Sequence, residues 1–136
     1  MADETRYLSV ADVVALHIAT MEHLGFQPEP LRDAGLLESA LLKPQMAAYY
    51  EGADLARQAA LLAIGIAQNQ PFVDGNKRTA YTACVRFLES NGASLTSEPM
   101  ELADQLVLVA ERTDLLDAAT ARFETWLRAH VTYTRA

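Results

Sequence analysis

The sequence predicts an all-α fold, a compact bundle of about five to six helices in one domain, residues 1–136. Apolar residues recur at helical spacing on both sides of a central polar loop: Leu55, Ala59, Leu62 and Ile66 before it, and Ala80, Ala83, Cys84, Phe87 and Leu88 after it. No alternating apolar and polar pattern flanks the loop, and no internal repeat occurs. With 136 residues, 51% of them hydrophobic, the chain is long enough to bury one core.

Charge and cysteine content exclude several function classes. Eleven basic against eighteen acidic residues give a net charge of −7, so broad electrostatic attraction to nucleic acid or to an anionic membrane is not expected. The single cysteine, Cys84, cannot form an internal disulfide, and its apolar helical setting predicts a buried residue. Because the sequence shows neither an export signal nor a membrane span, a cytoplasmic location is expected.

The first helix is predicted over residues 10–24. Ser9 and Asp12 have the spacing of a capping box at its start, with Asp in place of the usual Glu. His17 lies on the apolar stripe of this helix, where a core histidine is more common than a catalytic one. His23 is expected to face solvent, and neither histidine is taken as a base.

The second helix is predicted over residues 32–41, capped by Asp33. From residue 43 to residue 54 the helical pattern lapses, which predicts an irregular connection that is extended in part. A helix with Pro99 in its first turn and a last helix over residues 117–130 should follow the central helix pair. The expected flexible ends are residues 1–8 and 131–136.

The central loop between the two apolar helices is the candidate functional site. Pro71 disfavours helical geometry at the residue before it, so the first of these helices should end near Gln70. The run Asp74-Gly75-Asn76 suits a tight turn and a helix start, which leaves free backbone N–H groups beside the charges of Lys77 and Arg78. Such a helix start binds anions, because unpaired donors and the positive end of the dipole point the same way. A hairpin turn is the alternative, and the absence of flanking strand patterns argues against it.

Each residue of this loop has a chemical role that its type supports. Asp74 is a short carboxylate of the kind that holds Mg²⁺ together with substrate phosphate oxygens, although it could instead only cap the next helix. Gly75 allows close approach of phosphate, the amide of Asn76 can bond phosphate oxygens, and Arg78 offers a fork of donors. Phe72 should be buried between the helices and fix the path of the loop.

The run from Pro71 to Ala80 resembles the central motif of the Fic/Doc superfamily. In the Doc (death-on-curing) branch this motif reads His-x-Phe-x-Asp-Ala/Gly-Asn-Lys-Arg-Thr-Ala. Ten consecutive residues fit it, and the departure is Gln70 at the histidine position. The run Arg32–Leu41 is also similar to the segment upstream of the motif in Doc-like proteins, so the resemblance covers nearly the whole domain.

The resemblance implies a Doc-like toxin of a type II toxin–antitoxin system, with ATP as substrate nucleotide and Mg²⁺ as cofactor. The implied reaction is transfer of the γ-phosphate to a Thr or Ser hydroxyl of a protein, with translation elongation factor Tu as the family's target. Lys77 favours this reaction, because Fic proteins that transfer AMP usually have Gly there; AMP transfer is the alternative. The implied partner is a Phd-like antitoxin whose disordered tail folds on binding.

The resemblance also implies a set of site residues. The catalytic positions are Gln70, Asp74, Asn76, Lys77 and Arg78, with Asp74 holding the metal and Gly75, Asn76, Lys77 and Arg78 forming the nucleotide cradle. The implied target-binding flap, which would hold the target as an added strand, is Gln45, Met46, Ala47, Ala48 and Tyr49. The alternative for this segment is that Tyr49 and Tyr50 simply cover the core.

Gln70 is the main difficulty for catalysis. In the family the histidine takes the proton of the attacking hydroxyl, and the Gln70 amide cannot act as a base at physiological pH. Its loss should slow transfer by roughly 10² to 10⁴ and leave nucleotide binding largely intact. The sequence therefore predicts an attenuated or inactive toxin, or a pseudoenzyme that binds an antitoxin or target peptide without chemistry. Gln70 is either native or introduced, and the sequence does not distinguish the two.

Overall fold

A computed structural model of the protein describes residues 4–134. Within this range the chain forms six helices and two short strands: α1 Val10–His23, α2 Ala34–Glu51, α3 Leu55–Asn69, α4 Asn76–Ser90, β1 Ala93–Leu95, α5 Pro99–Ala110, α6 Leu116–Ala129 and β2 Val131–Tyr133. The predicted all-α fold is confirmed, with one small antiparallel sheet added to it. No helix in the described range has the length and apolar character needed to span a membrane.

Helix α3 lies at the centre of the bundle and packs against α2, α4 and α6. Nearly every residue from Ala56 to Ala67 is buried, which explains why its sequence is apolar on more than one face. Gly65 lets α3 lie close against α2, since a Cβ at this position would be 3.1 Å from the Cβ of Ala40 on α2. Cys84 of α4 is buried as predicted, and burial raises its pKa to about 12.

Local capping signals place the helix starts. The capping box predicted at Ser9 and Asp12 is present, with both reciprocal hydrogen bonds formed at the start of α1. Asp33 caps α2 by accepting from the Leu36 N–H at 3.2 Å, as predicted. Helix α6 begins one residue before the predicted start and ends at Ala129.

The expectation of an irregular segment over residues 43–54 is wrong. Helix α2 continues through Pro44 and ends only at Glu51, where Gly52 adopts the left-handed conformation. Pro44 lacks a donor and crowds the preceding turn, which normally breaks a helix. Here Ala40, Pro44 and Ala47 form a buried face towards the core, and the residues after Pro44 include several good helix formers. Tertiary packing therefore overrides the local signal.

The chain ends also differ from the prediction. Residues 131–133, expected in a flexible tail, form β2 and pair with β1 in the register Ala93↔Tyr133. Near the other end Tyr7 stacks on Phe87, and its hydroxyl donates to Gln58 Oε1 at 2.7 Å. The remaining parts of the two predicted flexible ends, residues 1–3 and 135–136, lie outside the described residues.

Candidate active site

The α3–α4 loop begins at Gln70, which ends α3 in a left-handed conformation with φ 51° and ψ 58°. Gln70 is the only residue other than glycine with positive φ among those described. Its backbone N–H still donates to the Ile66 carbonyl at 3.1 Å, and its side chain is exposed. The left-handed geometry turns the chain out of the helix and leaves the residue-70 side chain accessible to solvent.

The connection between α1 and α2 holds this turn in place. Arg32 donates from Nε to the Gln70 carbonyl at 2.9 Å and from Nη2 to the Asn69 carbonyl at 3.2 Å. The backbone N–H groups of Arg32 and Asp33 both donate to the Pro71 carbonyl, at 2.7 and 3.0 Å. The Arg32 guanidinium thus caps the C-terminus of α3, a position where a cation also complements the helix dipole. Arg32 lies 38 positions from Gln70 in the sequence, so no local pattern reveals this contact.

Phe72 and Asn76 together shape the middle of the loop. Phe72 is 1% exposed, in keeping with its predicted burial, and its ring stacks on His17 with centroids 3.8 Å apart. Asn76 Oδ1 accepts from the Phe72 N–H and Asn76 Nδ2 donates to the Phe72 carbonyl, both at 2.9 Å. These two bonds let Asn76 shape the loop, and they use one of the two N–H donors of Nδ2. Its contact with phosphate stays a prediction.

The N-terminus of α4 is open to an anion. Its N-cap is Gly75, in the left-handed region with φ 77°, and no side chain of the described residues caps the helix. Asp74 instead accepts the Gly75 N–H at 2.8 Å through Oδ1, so its alternative role as a cap of α4 is not supported. The N–H groups of the first turn, beginning at Asn76, are therefore available at the positive end of the helix dipole.

The charged side chains of the loop are exposed beside these donors. Asp74, Lys77 and Arg78 are all exposed, and none forms an ion pair with another residue in the range 4–134. Two cations next to uncapped N–H groups favour a phosphate-bearing ligand over a neutral one. The backbone and charges predicted for the cradle are thus brought together at one end of α4.

The donors present fit Mg²⁺ only together with a phosphate ligand. Among the described residues no group of three or more His, Cys, Asp or Glu side chains could hold a metal ion. Asp74 is one exposed carboxylate, and Mg²⁺ characteristically binds one or two carboxylates plus substrate phosphates and water. Asp74 would therefore supply the protein ligand of a metal that arrives with a nucleotide.

Comparison with known proteins agrees with this geometry. Residues 7–88 match the family model described as Fic/DOC family, a segment that includes α1, α2, α3, the loop and most of α4. A protein named Toxin Doc from Mycolicibacterium smegmatis is 38% identical over 124 residues, covering 86% of this chain and 90% of that protein.

The chain belongs to the Fic/DOC family. Its helices α3 and α4 are the pair that carries the family motif, and its loop has the motif in all but the first position, Gln70.

One predicted part of the site lies elsewhere in this Fic/DOC chain. Residues Gln45, Met46, Ala47, Ala48 and Tyr49, expected to form an extended flap, are helical. Helix α2 starts beside the loop at Asp33, so Tyr49 lies about 22 Å further along its axis. Tyr49 and Tyr50 are 80% and 71% exposed, so they do not cover the core either. The backbone that does lie beside the motif is the α1–α2 connection, where Leu31 forms a bridge with Phe72.

A histidine excluded as a base lies directly under the loop. His17 of α1 is 1% exposed, and its Nδ1 is 2.8 Å from Thr79 Oγ1 on α4, whereas its Nε2 is buried with no hydrogen-bond partner in the described structure. Burial lowers the pKa of His17, while the charge of Asp74 and the nearby main chain of Glu29 act in the opposite direction. Met21 also lies here, because a Cβ on Gly75 would be 2.6 Å from its Sδ. The position of His17 on the apolar stripe of α1 predicted its burial but not its contacts with Thr79 and Phe72.

A groove of about 730 Å³ runs from the loop between α1, α4 and α5. Its apolar lining includes Leu16, Leu24, Tyr81, Met100 and Val107. Its basic lining consists of Lys77, Arg78 and Arg86 of α4. The groove therefore joins an apolar surface to the cationic end of the motif.

Proposed function

We propose that this chain is the toxin component of a toxin–antitoxin pair and that its loop binds ATP with Mg²⁺ for phosphoryl transfer to a protein Ser or Thr hydroxyl. The observation that carries this proposal is the uncapped N-terminus of α4, with Gly75 in the left-handed conformation and Lys77 and Arg78 exposed beside it. The name of the relative, Toxin Doc, supports the toxin assignment. Translation elongation factor Tu is proposed as the target on the strength of the family motif.

Each part of the loop has a task in this proposal. The N–H groups at the start of α4 donate to phosphate oxygens, and Lys77 and Arg78 neutralise the phosphate charge. Asp74 would hold Mg²⁺, which when bound offsets the negative charge of the phosphates. The γ-phosphate passes directly from ATP to the target hydroxyl, ADP leaves, and no covalent bond to this chain forms. Positioning and charge stabilisation therefore supply most of the catalysis. Asn76 and Arg32 fix the backbone on either side.

The residue at position 70 controls the rate of phosphoryl transfer in this proposal. The target hydroxyl must lose a proton during transfer, and the exposed Gln70 amide cannot accept it. Transfer by the chain as it stands should therefore be slower by roughly 10² to 10⁴ than with a histidine at this position. Nucleotide binding should persist, because it uses the backbone and cations of α4.

The decisive experiment replaces Gln70 by histidine and follows the α- and γ-phosphates of ATP separately. We expect Gln70→His to arrest growth and to transfer label from γ-labelled but not from α-labelled ATP to a protein. Gln70→Asn is the matched control, since asparagine accepts a left-handed backbone but provides no base. Label from α-labelled ATP would replace the proposal with AMP transfer. No label from either nucleotide with Gln70→His would leave the pseudoenzyme alternative.

The groove between α1, α4 and α5 is the proposed antitoxin site. Its apolar lining and three basic residues suit an amphipathic helical segment with acidic residues, such as a tail that folds on binding. Met100 is 70% exposed within the groove, so Met100→Asp should weaken binding of the proposed antitoxin by at least about tenfold. Leu108→Asp, at a 59% exposed position of α5 that does not line the groove, should bind normally. Equal binding by both variants would place the antitoxin elsewhere.

A further inference from the structure

His17 is buried but only half satisfied. Its side chain is 1% exposed, Nδ1 is paired with Thr79, and Nε2 has no partner among the described residues. A buried polar atom without a hydrogen bond lowers stability, a loss that an apolar residue of similar size would avoid. The contacts that set a histidine apart from an apolar residue here are the bond to Thr79 and the stack on Phe72.

The ring of His17 touches three separate parts of the nucleotide site. It lies face to face with Phe72, at 3.8 Å between centroids and with the planes only 8° apart. Nδ1 is 2.8 Å from Thr79 Oγ1, in the first turn and a half of α4. A Cβ on Gly75 would lie 3.4 Å from Cε1, so the ring supports the N-cap of α4 from below.

We propose that His17 is a positioning residue for the nucleotide site. The stack on Phe72 fixes the loop, and the hydrogen bond to Thr79 fixes the first turns of α4. The free N–H groups between these two points are thereby aimed at one phosphate position. His17 is too buried to touch the ligand itself, so it acts through Phe72, Gly75 and Thr79. This inference rests on the proposed nucleotide-binding function and names the residue that orients its donors.

Two substitutions of His17 separate positioning from packing. The amide of an asparagine occupies the place of Nδ1, so His17→Asn keeps a partner for Thr79 but leaves a gap in the core. His17→Leu fills the space, removes the unpaired nitrogen and loses the bond to Thr79. We therefore expect His17→Leu to be the more stable variant and His17→Asn the tighter binder. In titration calorimetry with MgATP, His17→Leu should bind roughly tenfold more weakly than the unchanged chain, and His17→Asn within about threefold.

Thr79→Val provides the matched control from the other side of the hydrogen bond. It should reproduce the weaker binding of His17→Leu, and the double variant should bind no more weakly than either single one, because all three lose the same contact. A purely structural role of His17 would instead make affinity follow stability. Affinity in the order of thermal stability, or binding by His17→Leu equal to that of the unchanged chain, would overturn the proposal.

Failure of the proposed function would be recognised separately, because the unchanged chain itself would then not bind MgATP. In that case the backbone amide resonances of Gly75, Asn76 and Lys77 report on positioning directly. They should move in His17→Leu and Thr79→Val and stay close to their original places in His17→Asn. Equal movement in all three variants would contradict a role through Thr79.

Discussion

At the residue scale, the backbone of position 70 suits the family histidine better than the glutamine it carries. Gln70 has φ 51°, and histidine, like asparagine and aspartate, is enriched several-fold at positive φ. The Arg32 guanidinium holds the Gln70 carbonyl from outside the loop, so the turn does not depend on the residue-70 side chain. The Gln70→His protein should therefore fold as the present one does, and a change in activity can be attributed to the imidazole.

Gly75 and Gly92 form a matched pair for testing how tightly Met21 packs against the N-cap of α4. Both have φ 77°, but an added Cβ lies 2.6 Å from Met21 Sδ at Gly75 and meets nothing within 4 Å at Gly92. We expect Gly92→Ala to lower the free energy of unfolding by about 1–2 kcal/mol through backbone strain alone. Gly75→Ala should cost about 1–2 kcal/mol more, because the methyl group displaces Met21.

Chemical denaturation of the two variants measures this difference. Met21 is buried, so Met21→Ala lowers stability by itself, but in that background Gly75→Ala should cost less than in the unchanged chain. Equal destabilisation by the two glycine substitutions would show that the Met21 side chain moves aside without cost and does not restrain the N-cap of α4.

At the element scale, the bundle depends on how closely α2 and α3 approach. An added methyl group on Gly65 would lie 3.1 Å from the Ala40 Cβ and 3.2 Å from its Cα, closer than ordinary packing allows. Gly65 lies in the buried central helix, so α2 and α3 would have to move apart to admit the methyl group. This movement would also shift the C-terminus of α3, where the loop begins. A contact far from the motif thus contributes to its geometry.

Gly65→Ala is therefore expected to reduce the free energy of unfolding by about 1–3 kcal/mol, although alanine is the better helix former. Gly35→Ala, in the exposed first turn of α2, should change it by less than about 1 kcal/mol. Both values come from urea denaturation followed by circular dichroism. An increase in stability for Gly65→Ala would mean that α2 moves away without cost.

The elements that could be predicted from the sequence were those with local signals. The caps Ser9 and Asp33 and the stop at Pro71 placed three helix ends correctly, because each acts within a few residues. Pro44 misled the prediction, because its local cost is outweighed by packing against α3. The contacts of Arg32 with the loop and of His17 with Thr79 join residues 38 and 62 positions apart, which no local pattern reveals.

At the scale of the whole molecule, an ion-pair network joins α2, α3 and α6 at the end of α3 opposite the loop. Arg57 pairs with Glu51 and Glu124, each at 2.8 Å, and Arg128 pairs with Asp54 and Glu124, each at 2.9 Å. Hydrogen bonds from Arg128 lower the pKa of Asp54. Burial opposes ionisation of Glu124, but Arg57 and Arg128 outweigh it and lower its pKa too.

This network predicts a stability loss in acid. Because the two carboxyl groups have lower pKa values in the folded state, their contribution is present above the unfolded value of about 4 and is lost as the pH falls below it. Arg128→Gln should therefore make the free energy of unfolding fall less steeply below about pH 4, by less than about 1 kcal/mol in total, since the pairs are partly exposed.

Urea denaturation between pH 3 and pH 7 tests this expectation. Arg86→Gln is the control, because Arg86 forms no ion pair with any residue in the range 4–134. Parallel pH curves for Arg128→Gln and the unchanged chain would assign the acid sensitivity to other groups.

The pairing of β1 with β2 brings the segments before α5 and after α6 together. Both helices belong to the core, to which they contribute Leu102, Leu106, Phe123 and Leu127. The family match, residues 7–88, stops before these helices, whereas α5 supplies one wall of the groove. In the proposed function, the α5 wall of the groove lies outside the family match, whereas the loop and the groove cations Lys77 and Arg78 lie inside it. The α5 wall can therefore change in sequence without altering the motif.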